Sequence, residues 1–339
     1  MKRKGNLFDS IVDLDNLMLA YCKAKRGKSC AREVRAFSRD AELHLSEMRV
    51  QLLDGTFRVG NYHYFKITDP KERMICAASF PERVLHHAII NVCHSTFDAH
   101  LIAETYATRP GKGVYKALER ARETVTRCRY VGKLDVRKYF DSVDHGLLHS
   151  FLCGLFKDKR LLDLFSKIID SYHTDSGKGL PIGNLTSQYF ANLYLSGLDR
   201  YIKQDLHCRY YVRYMDDLLF GADSRREVRI LAARIAQFAE GLMLQMKPLV
   251  LHTSLQGMPY LGYRVMPHRL LLTSKAKRRF RKYYKAYSHV EAECEAAVVS
   301  EQIMSAFAFI RHACYKQFYR DMANLSYKFG KPTLTRITP

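Results

Sequence analysis

The sequence lacks the features that mark membrane and secreted proteins. No apolar run reaches the roughly 18 residues that are needed to span a bilayer. The N-terminal stretch MKRKGNLFDSIVDLDN begins with a basic cluster, but acidic residues follow it instead of the apolar core of a secretory signal. We therefore expect a cytoplasmic protein that does not bind a membrane.

The sequence also lacks the cysteine spacings of metal-binding and disulfide-rich proteins. None of the nine cysteines forms a CxxC pair, and no cysteine and histidine cluster has zinc-finger spacing. An odd, scattered set is typical of reduced thiols in a cytosolic core. His87 and His94 lie seven residues apart and can share a helix face, but a structural role is favoured because no third ligand is evident.

Acidic residues are scarce relative to basic ones. The chain has 34 Asp and Glu against 55 Lys and Arg, which gives a formal net charge of +21. So much positive charge repels itself in a compact protein and favours a polyanionic partner, of which nucleic acid is the first candidate. The alternative is a basic protein that its charge merely keeps soluble.

No internal repeat or low-complexity linker divides the 339 residues, which suffice for two or more subdomains. The order of elements is α+β with mixed strands, without the steady βαβ alternation of a doubly wound sheet. In the first third of the chain, the patterns predict a helix over 33–55 that ends at Gly55, a hairpin that turns at Asp69-Pro70 and a helix that starts at Pro81. A strand is predicted to end near Asp135, and a helix is predicted to follow from about Asp144. Further helices are predicted over 185–206 and 228–242, and the tail is predicted to be helical to residue 328.

Two adjacent aspartates, Asp216 and Asp217, lie within the hydrophobic stretch RYYVRYMDDLLFGAD. Aromatic and β-branched flanks predict two strands joined by a tight turn that carries both carboxylates. Asp135 ends an earlier predicted strand, and clustered carboxylates repel each other unless divalent cations lie between them. The pattern therefore predicts a magnesium site for phosphate chemistry. A hydrated β-turn is the alternative, since Asp is a good turn residue.

An ordered set of motifs resembles the reverse transcriptases. YMDD is similar to their metal-binding hairpin, and KERMI is similar to the fingers motif that meets the incoming triphosphate. ERVLHHAI, TYATRPGKG, KLDVRKYFDSVDH and YLGYRV resemble successive palm and primer-grip motifs of bacterial members. The resemblance covers residues 57 to 265 and implies a right-hand polymerase fold with an antiparallel palm sheet backed by helices.

One motif narrows the resemblance to a subfamily. Most reverse transcriptases have Gln-Gly followed by Ser-Pro, whereas this chain has IGNLTSQ, with Ile182-Gly183 and Ser187-Gln188 at those positions. That form resembles the reverse transcriptases of diversity-generating retroelements. From the short length we expect neither an endonuclease nor a maturation domain of the group II intron type, and we do not expect a retron enzyme because the Val-Thr-Gly signature is absent near the predicted thumb.

The resemblance also implies residue roles. The catalytic and metal-binding residues are expected to be Asp135, Asp216 and Asp217, which would hold two Mg²⁺ ions, with Mn²⁺ as an expected substitute. The nucleotide-binding residues are expected to be Lys66, Arg73, Phe140, Ile182 and Gly183, with Phe140 excluding a 2′-hydroxyl. The primer grip is expected to be Leu261, Gly262 and Tyr263. Contacts to the nucleic-acid backbone are expected from Lys275, Lys277, Arg278, Arg279, Arg281 and Lys282.

Three of these assignments have ordinary structural alternatives. Lys66 can be a surface lysine on a hairpin, and Phe140 can belong to the hydrophobic core. The helix over residues 276–287 can present a solvated basic face with its tyrosines in the core.

The implied organisation is a basic helical extension over 1–55, fingers over 56–85 and 145–180, a palm over 86–144 and 181–265, and a thumb over 266–339. The implied activity is RNA-directed DNA synthesis from dNTPs on a template-repeat RNA, which yields cDNA with errors at adenines. The expected partners are that RNA, the RNA/cDNA duplex and a pentameric basic accessory variability protein, in bacteria or their phages. Two alternatives stay open: another stand-alone bacterial reverse transcriptase, as in phage defence or a retron-like system, and a catalytically silent RNA-binding scaffold.

Overall fold

A computed structural model describes residues 2–68, 72–288 and 313, with side chains described as far as residue 282 in the last helix. Its helices are α1 Phe8–Ile11, α2 Leu14–Lys25, α3 Arg32–Arg39, α4 Ala41–Leu53, α5 Phe80–His100, α6 Val114–Arg127, α7 Tyr139–Ser142, α8 His145–Leu155, α9 Lys159–Asp170, α10 Leu185–Tyr194, α11 Ser196–Arg200, α12 Arg225–Gly241 and α13 Ser274–Ser288. A π-helical turn spans Tyr201–Asp205, and a 3₁₀ turn spans Ser254–Gln256.

The strands are β1 Tyr62–Ile67, β2 Arg73–Ala78, β3 Tyr130–Asp135, β4 Tyr210–Tyr214, β5 Asp217–Ala222, β6 Val250–Thr253, β7 Met258–Tyr260, β8 Tyr263–Val265 and β9 Leu270–Leu272. They form a β1-β2 hairpin, a four-stranded sheet in the order β4-β5-β3-β6 and a three-stranded sheet in the order β7-β8-β9. The predicted α+β class is confirmed.

Most of the predicted elements occur where the sequence places them. The β1-β2 hairpin, the α5 helix with Pro81 in its first turn and the β3 strand that ends at Asp135 are all present. Helix α8 begins directly after Asp144, whose side chain caps it by accepting a hydrogen bond from the backbone N–H of Leu147. The tail predicted to be helical to residue 328 lies outside the described residues beyond α13.

Two of the predicted long helices are interrupted in the structure, so the prediction that each is continuous was wrong. The helix predicted over 33–55 breaks at Asp40, whose φ of −131° and ψ of 54° are not helical. The Asp40 carbonyl accepts the first hydrogen bond of α4, so this residue starts a second helix as an N-cap does. The helix predicted over 185–206 breaks at Leu195 and ends in the π-helical turn. Gly197 follows the break closely, and glycine weakens helix continuity.

The chain divides into two compact units. The first contains residues 1–111, 135–207 and 233–247, and the second contains residues 112–134, 208–232 and 248–339. In the first unit, α5 packs against α2 and α10. Its core includes a cluster of aromatic rings contributed by Phe97, Phe156, Phe165 and Phe190. His94 on α5 bonds to the hydroxyl of Tyr189, a structural role like the one predicted for it.

In the second unit, α6 covers β4 and β5 of the four-stranded sheet. A glycine makes this close packing possible, because a Cβ on Gly221 would lie 2.9 Å from the Thr124 side chain of α6 and 2.6 Å from the Cys128 sulfur. On β3, a Cβ on Gly132 would lie 2.7 Å from the Val228 side chain of α12. The seven cysteines in the described part of the chain form no disulfide. Among the helices described, none is long and apolar enough to cross a membrane.

Candidate active site

The two adjacent aspartates lie at the tip of the β4-β5 hairpin. Tyr214 pairs with Asp217, so Met215 and Asp216 form a two-residue turn. Asp216 therefore occupies the turn, whereas Asp217 is the first residue of β5. Met215 has a φ of +55°, a conformation that glycine usually supplies in hairpin turns and that costs energy for other residues.

Buried groups of the second unit support this turn. Arg213 is completely buried, and its Nη1 donates to the Met215 carbonyl at 2.9 Å. The Tyr260 hydroxyl donates to the backbone carbonyl of Asp217 at 3.3 Å. These bonds fix the backbone of the turn and thereby help to hold the strained Met215 in place.

Lysines face the carboxylates of two predicted metal ligands. Lys133 Nζ lies 2.9 Å from Asp217 Oδ1, and both side chains are about three-quarters or more buried. Lys247 Nζ pairs with Asp135 Oδ1, while the Lys247 backbone N–H donates to the Asp135 carbonyl at 2.8 Å. Each carboxylate therefore has a positive counter-ion from its own unit.

The third aspartate is the last residue of a strand in the four-stranded sheet. β3 ends at Asp135, β5 begins at Asp217, and these two strands are neighbours in the four-stranded sheet. Lys133 and Asp135 occupy alternate positions of β3 and so point to the same face of the sheet.

The donor chemistry of these aspartates fits a divalent cation, since carboxylate oxygens are the hard ligands that Mg²⁺ prefers. Within the described residues, no group of three or more His, Cys, Asp or Glu side chains forms a metal cluster. The carboxylates of Asp135 and Asp217 are instead neutralised by lysine. A cation that binds either carboxylate would therefore have to displace the lysine ammonium group paired with it.

The two predicted triphosphate contacts belong to the β1-β2 hairpin. Ile67 pairs with Arg73 and Lys66 pairs with Met74, so the side chains of Lys66 and Arg73 project from opposite faces of the ribbon. Both residues are exposed, and Lys66 Nζ lies 3.0 Å from Glu72 Oε1. An exposed ion pair of this kind is weak, so Lys66 is readily available to another anion.

Phe140 lies in the short helix α7, and its ring is half-buried. The ring packs edge-to-face against Tyr139, with 5.8 Å between the centroids. Tyr139 is fully enclosed, and its hydroxyl donates to the Ala191 carbonyl. The core position thus belongs to Tyr139, and part of the Phe140 ring is open to solvent.

Ile182 and Gly183 contact the β1-β2 hairpin in the first unit. The Ile182 carbonyl accepts a hydrogen bond from the Cys76 N–H at 2.8 Å. Gly183 has a φ of +122°, and a Cβ there would lie 2.9 Å from the Ile75 side chain. The close approach and the backbone conformation both require glycine.

The predicted primer grip forms the turn between β7 and β8. Leu261 and Gly262 both have positive φ, which is typical of the type I′ turn of a two-residue hairpin. Tyr263 is fully buried, and burial raises the pKa of its hydroxyl. A contact from Tyr263 to a primer would therefore use its backbone, while the Leu261-Gly262 turn is more accessible.

Helix α13 carries the predicted backbone contacts. Five of the six predicted residues are exposed and Lys277 is half-buried. Phe280 is buried at 2% exposure, so the helix packs one apolar side chain inward and presents its cations to solvent. The exposed basic face suits both a nucleic-acid contact and the alternative of a solvated surface.

The comparison with known families decides the broader identity. Residues 66–265, more than half of the 339-residue chain, match the family "Reverse transcriptase (RNA-dependent DNA polymerase)". The chain belongs to the reverse transcriptase family. The matched range contains the three aspartates, the β1-β2 hairpin residues Lys66 and Arg73, and the turn at Leu261-Gly262.

Relatives of this reverse transcriptase occur in bacteria. Protein YkfC of Escherichia coli is 26% identical over 50% of this chain and 46% of its own length. The group II intron-encoded protein LtrA of Lactococcus lactis is 22% identical over 48% of this chain and 29% of its own length. The chain thus spans less than half the length of either protein. The structure of apo telomerase from Candida tropicalis aligns with a TM-score of 0.48 and 12% identity, covering 78% of this chain and 61% of that one.

The sequence alone does not identify several residues that contact the reverse transcriptase motifs in the structure. Lys133 and Lys247 read as ordinary surface lysines, and Arg213 is one of many basic residues in a strongly basic chain. For Lys133 a signal exists, since a lysine two residues before a strand-ending aspartate shares its face of the strand. Asn184, which is almost completely buried, follows Ile182-Gly183 directly and has no signal apart from that position.

Proposed function

We propose that this chain is an RNA-directed DNA polymerase and, more narrowly, the reverse transcriptase of a diversity-generating retroelement. The observation that carries the polymerase assignment is the β4-β5 hairpin, with Asp216 in its turn and Asp217 at the start of β5, beside the strand that ends at Asp135. Family membership over residues 66–265 supports the same conclusion.

In the proposed reaction, Asp135, Asp216 and Asp217 would hold two divalent cations, Mg²⁺ or, as a substitute, Mn²⁺. When bound, the cations would stabilise the attacking 3′-hydroxyl oxygen and the leaving pyrophosphate oxygen. Lys133 and Lys247 would release the carboxylates of Asp217 and Asp135 as the cations bind.

The other side chains position the substrates, which is the larger part of catalysis in phosphoryl transfer. Arg73 and Lys66 would bind the triphosphate of the incoming dNTP by charge-assisted hydrogen bonds. Phe140 would lie against the sugar and exclude ribonucleotides, and Ile182-Gly183 would pack against the nascent base pair. Leu261, Gly262 and the backbone of Tyr263 would hold the primer terminus.

The basic face of α13 would follow the phosphate backbone of the RNA/cDNA duplex, in keeping with the net charge of +21. The proposed organisation stays as predicted: fingers over 56–85 and 145–180 with the β1-β2 hairpin, a palm over 86–144 and 181–265 with the aspartates, and a thumb over 266–339 that contains α13.

The retroelement subtype rests on the IGNLTSQ segment. Where most of the family has glutamine, Ile182 offers bulk but no hydrogen bond to fix the nucleotide and its template partner. Weaker positioning of the correct base pair would lower selectivity. The proposed template is a template-repeat RNA, and the proposed partner is a pentameric basic accessory variability protein.

Sequencing of cDNA made by the purified protein on a defined RNA tests the proposal. Errors concentrated opposite template adenines would support the retroelement enzyme. Faithful copying of adenine would favour another stand-alone reverse transcriptase, and RNA binding without cDNA would favour the silent scaffold. A near-duplicate repeat pair in the neighbouring DNA, differing at template adenines, provides an independent test of the subtype.

A further inference from the structure

The β1-β2 hairpin carries both predicted triphosphate contacts but has little packing of its own. Four consecutive residues of β1, from His63 to Lys66, are exposed, as are the first two residues of β2. A two-stranded hairpin is marginally stable in water without support from other elements. The orientation of the hairpin within the first unit must therefore be set by contacts at the ends of its strands.

The inner end of β2 is held by the segment that precedes α10. The Cys76 N–H donates to the Ile182 carbonyl at 2.8 Å, and the Ala78 N–H donates to Asn184 Oδ1 at 3.2 Å. The first of these bonds uses only backbone, and any residue could provide it. The second depends on the side chain of Asn184.

The segment leading into β1 is held by α5. Glu82 is completely buried, and its Oε2 accepts a hydrogen bond from the Gly60 N–H at 3.0 Å. Burial raises the pKa of this carboxyl group. Two buried side chains from outside the hairpin thus bond to its root: Glu82 of α5 bonds to the segment before β1, and Asn184, directly before α10, bonds to β2.

Asn184 forgoes its ordinary local role to make this contact. It is the N-cap residue of α10, and an N-cap asparagine normally accepts a hydrogen bond from an N–H of its own helix. Its side chain makes no such cap here, because the oxygen bonds to Ala78, 106 residues away in the sequence. Its Nδ2 is buried without a hydrogen-bond partner among the described residues.

The missing side-chain cap and the Nδ2 without a partner both indicate that asparagine does not occupy this position to stabilise the helix. An uncapped helix start and a buried amide without a partner each destabilise the fold. What asparagine provides at this position, and an apolar residue cannot, is an acceptor for the backbone of β2.

We propose that Asn184 is a positioning residue that sets the direction of the β1-β2 hairpin through Ala78. By this bond it places Arg73 against the triphosphate of the incoming dNTP, while Lys66, on the opposite face of the ribbon, would reach the same group only with its long, flexible side chain. The inference rests on the proposed function, in which those two side chains bind the triphosphate. In this role Asn184 acts through the hairpin and is not itself a catalytic residue.

Three variants separate this role from a structural one. Asn184→Leu keeps the approximate size and removes the acceptor, with Asn184→Ala in its place if the leucine variant does not fold. Asn184→Asp keeps an oxygen at the same position and is the rescue variant. Thr186→Val is the matched control, because it alters a buried side chain of α10 whose hydroxyl has no partner among the described residues.

Two measurements are made on each full-length variant: hydrogen exchange at the Ala78 amide, and dNTP KM and kcat in primer extension. Asn184→Leu is expected to speed Ala78 exchange about tenfold and to raise the dNTP KM about tenfold, as expected for the loss of one buried hydrogen bond. Its kcat at saturating dNTP should change far less. Asn184→Asp should restore both values, and Thr186→Val should leave them unchanged.

The two parts of the proposal fail separately. Unchanged Ala78 exchange in the acceptor-free variant overturns the anchoring role. Faster exchange with an unchanged KM, or a kcat that falls as much as KM rises, overturns the positioning role. If wild type extends no primer, both the proposed polymerase function and the role of Asn184 in nucleotide positioning are contradicted. The exchange measurement still decides whether Asn184 anchors the hairpin.

Discussion

We propose that sugar selection depends on the half-exposed ring of Phe140. Phe140 is expected to exclude the 2′-hydroxyl by bulk, and its neighbour Tyr139 already fills the core position. Phe140→Ala should therefore raise ribonucleotide incorporation relative to deoxynucleotide incorporation by about tenfold or more, a steric difference of roughly 1.4 kcal/mol. Primer extension with each nucleotide type measures the ratio.

A matched control is Phe151→Ala, which removes another half-buried ring that has no proposed nucleotide contact. Its ratio should stay at the wild-type value. If Phe140→Ala retains activity and leaves the ratio unchanged, Phe140 is not the residue that excludes ribonucleotides.

Lys133 is the counter-ion of Asp217 and so would compete with a cation bound at the proposed metal site. Lys133→Met removes the ammonium 2.9 Å from Asp217 Oδ1 and keeps a long side chain. Metal binding should become tighter by several-fold because no charge has to be displaced. Isothermal titration calorimetry with Mn²⁺, in the absence of nucleic acid, measures the affinity of each protein for the metal.

Lys116→Met is the control for net charge, since Lys116 is an exposed residue of α6 in the same unit. It should leave the affinity unchanged. Equal or weaker Mn²⁺ binding by Lys133→Met would argue against Asp217 as a metal ligand or against Lys133 as its competitor.

At the scale of elements, periodicity predicts where helices and strands occur better than where they break. The hairpin at Asp216-Asp217 was predictable because apolar strands flank a local turn. The break at Leu195 was not, because the apolar pattern continues through it and the π-helical turn depends on tertiary packing. Pairs such as Lys133 with Asp217, or Asn184 with Ala78, were not predictable because residues far apart in sequence meet only in the fold.

Gly183, which lies two residues before α10 and packs against the β1-β2 hairpin, gives a prediction about stability. Gly183→Ala should destabilise the protein by about 1–3 kcal/mol, the usual range for a side chain forced into such a backbone conformation. The added Cβ would also approach Ile75 to 2.9 Å. Denaturant unfolding measures the change.

Gly197→Ala is its control, because this glycine lies in α11 with a backbone outside the positive-φ region and open space around the Cβ. The substitution should be neutral or stabilising by about 0.5–1 kcal/mol. A Gly183→Ala protein as stable as wild type would show that the positive φ is not required.

At the scale of the whole molecule, the excess of positive charge should govern RNA binding. The triple variant Lys275→Ala, Arg278→Ala, Lys282→Ala removes three exposed cations of α13. If all three contact phosphates, the slope of log affinity against log salt should decrease by about 2–3. Fluorescence anisotropy with a labelled RNA/DNA duplex between low and physiological salt measures the slope.

A variant with the same loss of charge on α6, in which Lys116, Arg122 and Arg127 are replaced by alanine, separates position from net charge. These residues are exposed and belong to the same unit. Equal slopes for the two triple variants would favour the alternative in which the α13 face is merely solvated.

Extension of a DNA primer on an RNA template by purified wild type and Asp216→Asn tests the central claim most directly. The substitution keeps the shape of the side chain and removes one negative ligand from the hairpin turn. Wild type should extend the primer with Mg²⁺ and stop when the metal is chelated, and Asp216→Asn should be slower by about two to three orders of magnitude. RNA binding should be equal in both proteins, because the basic surface is unchanged. Near-normal extension by Asp216→Asn, or no extension by wild type, would contradict the account.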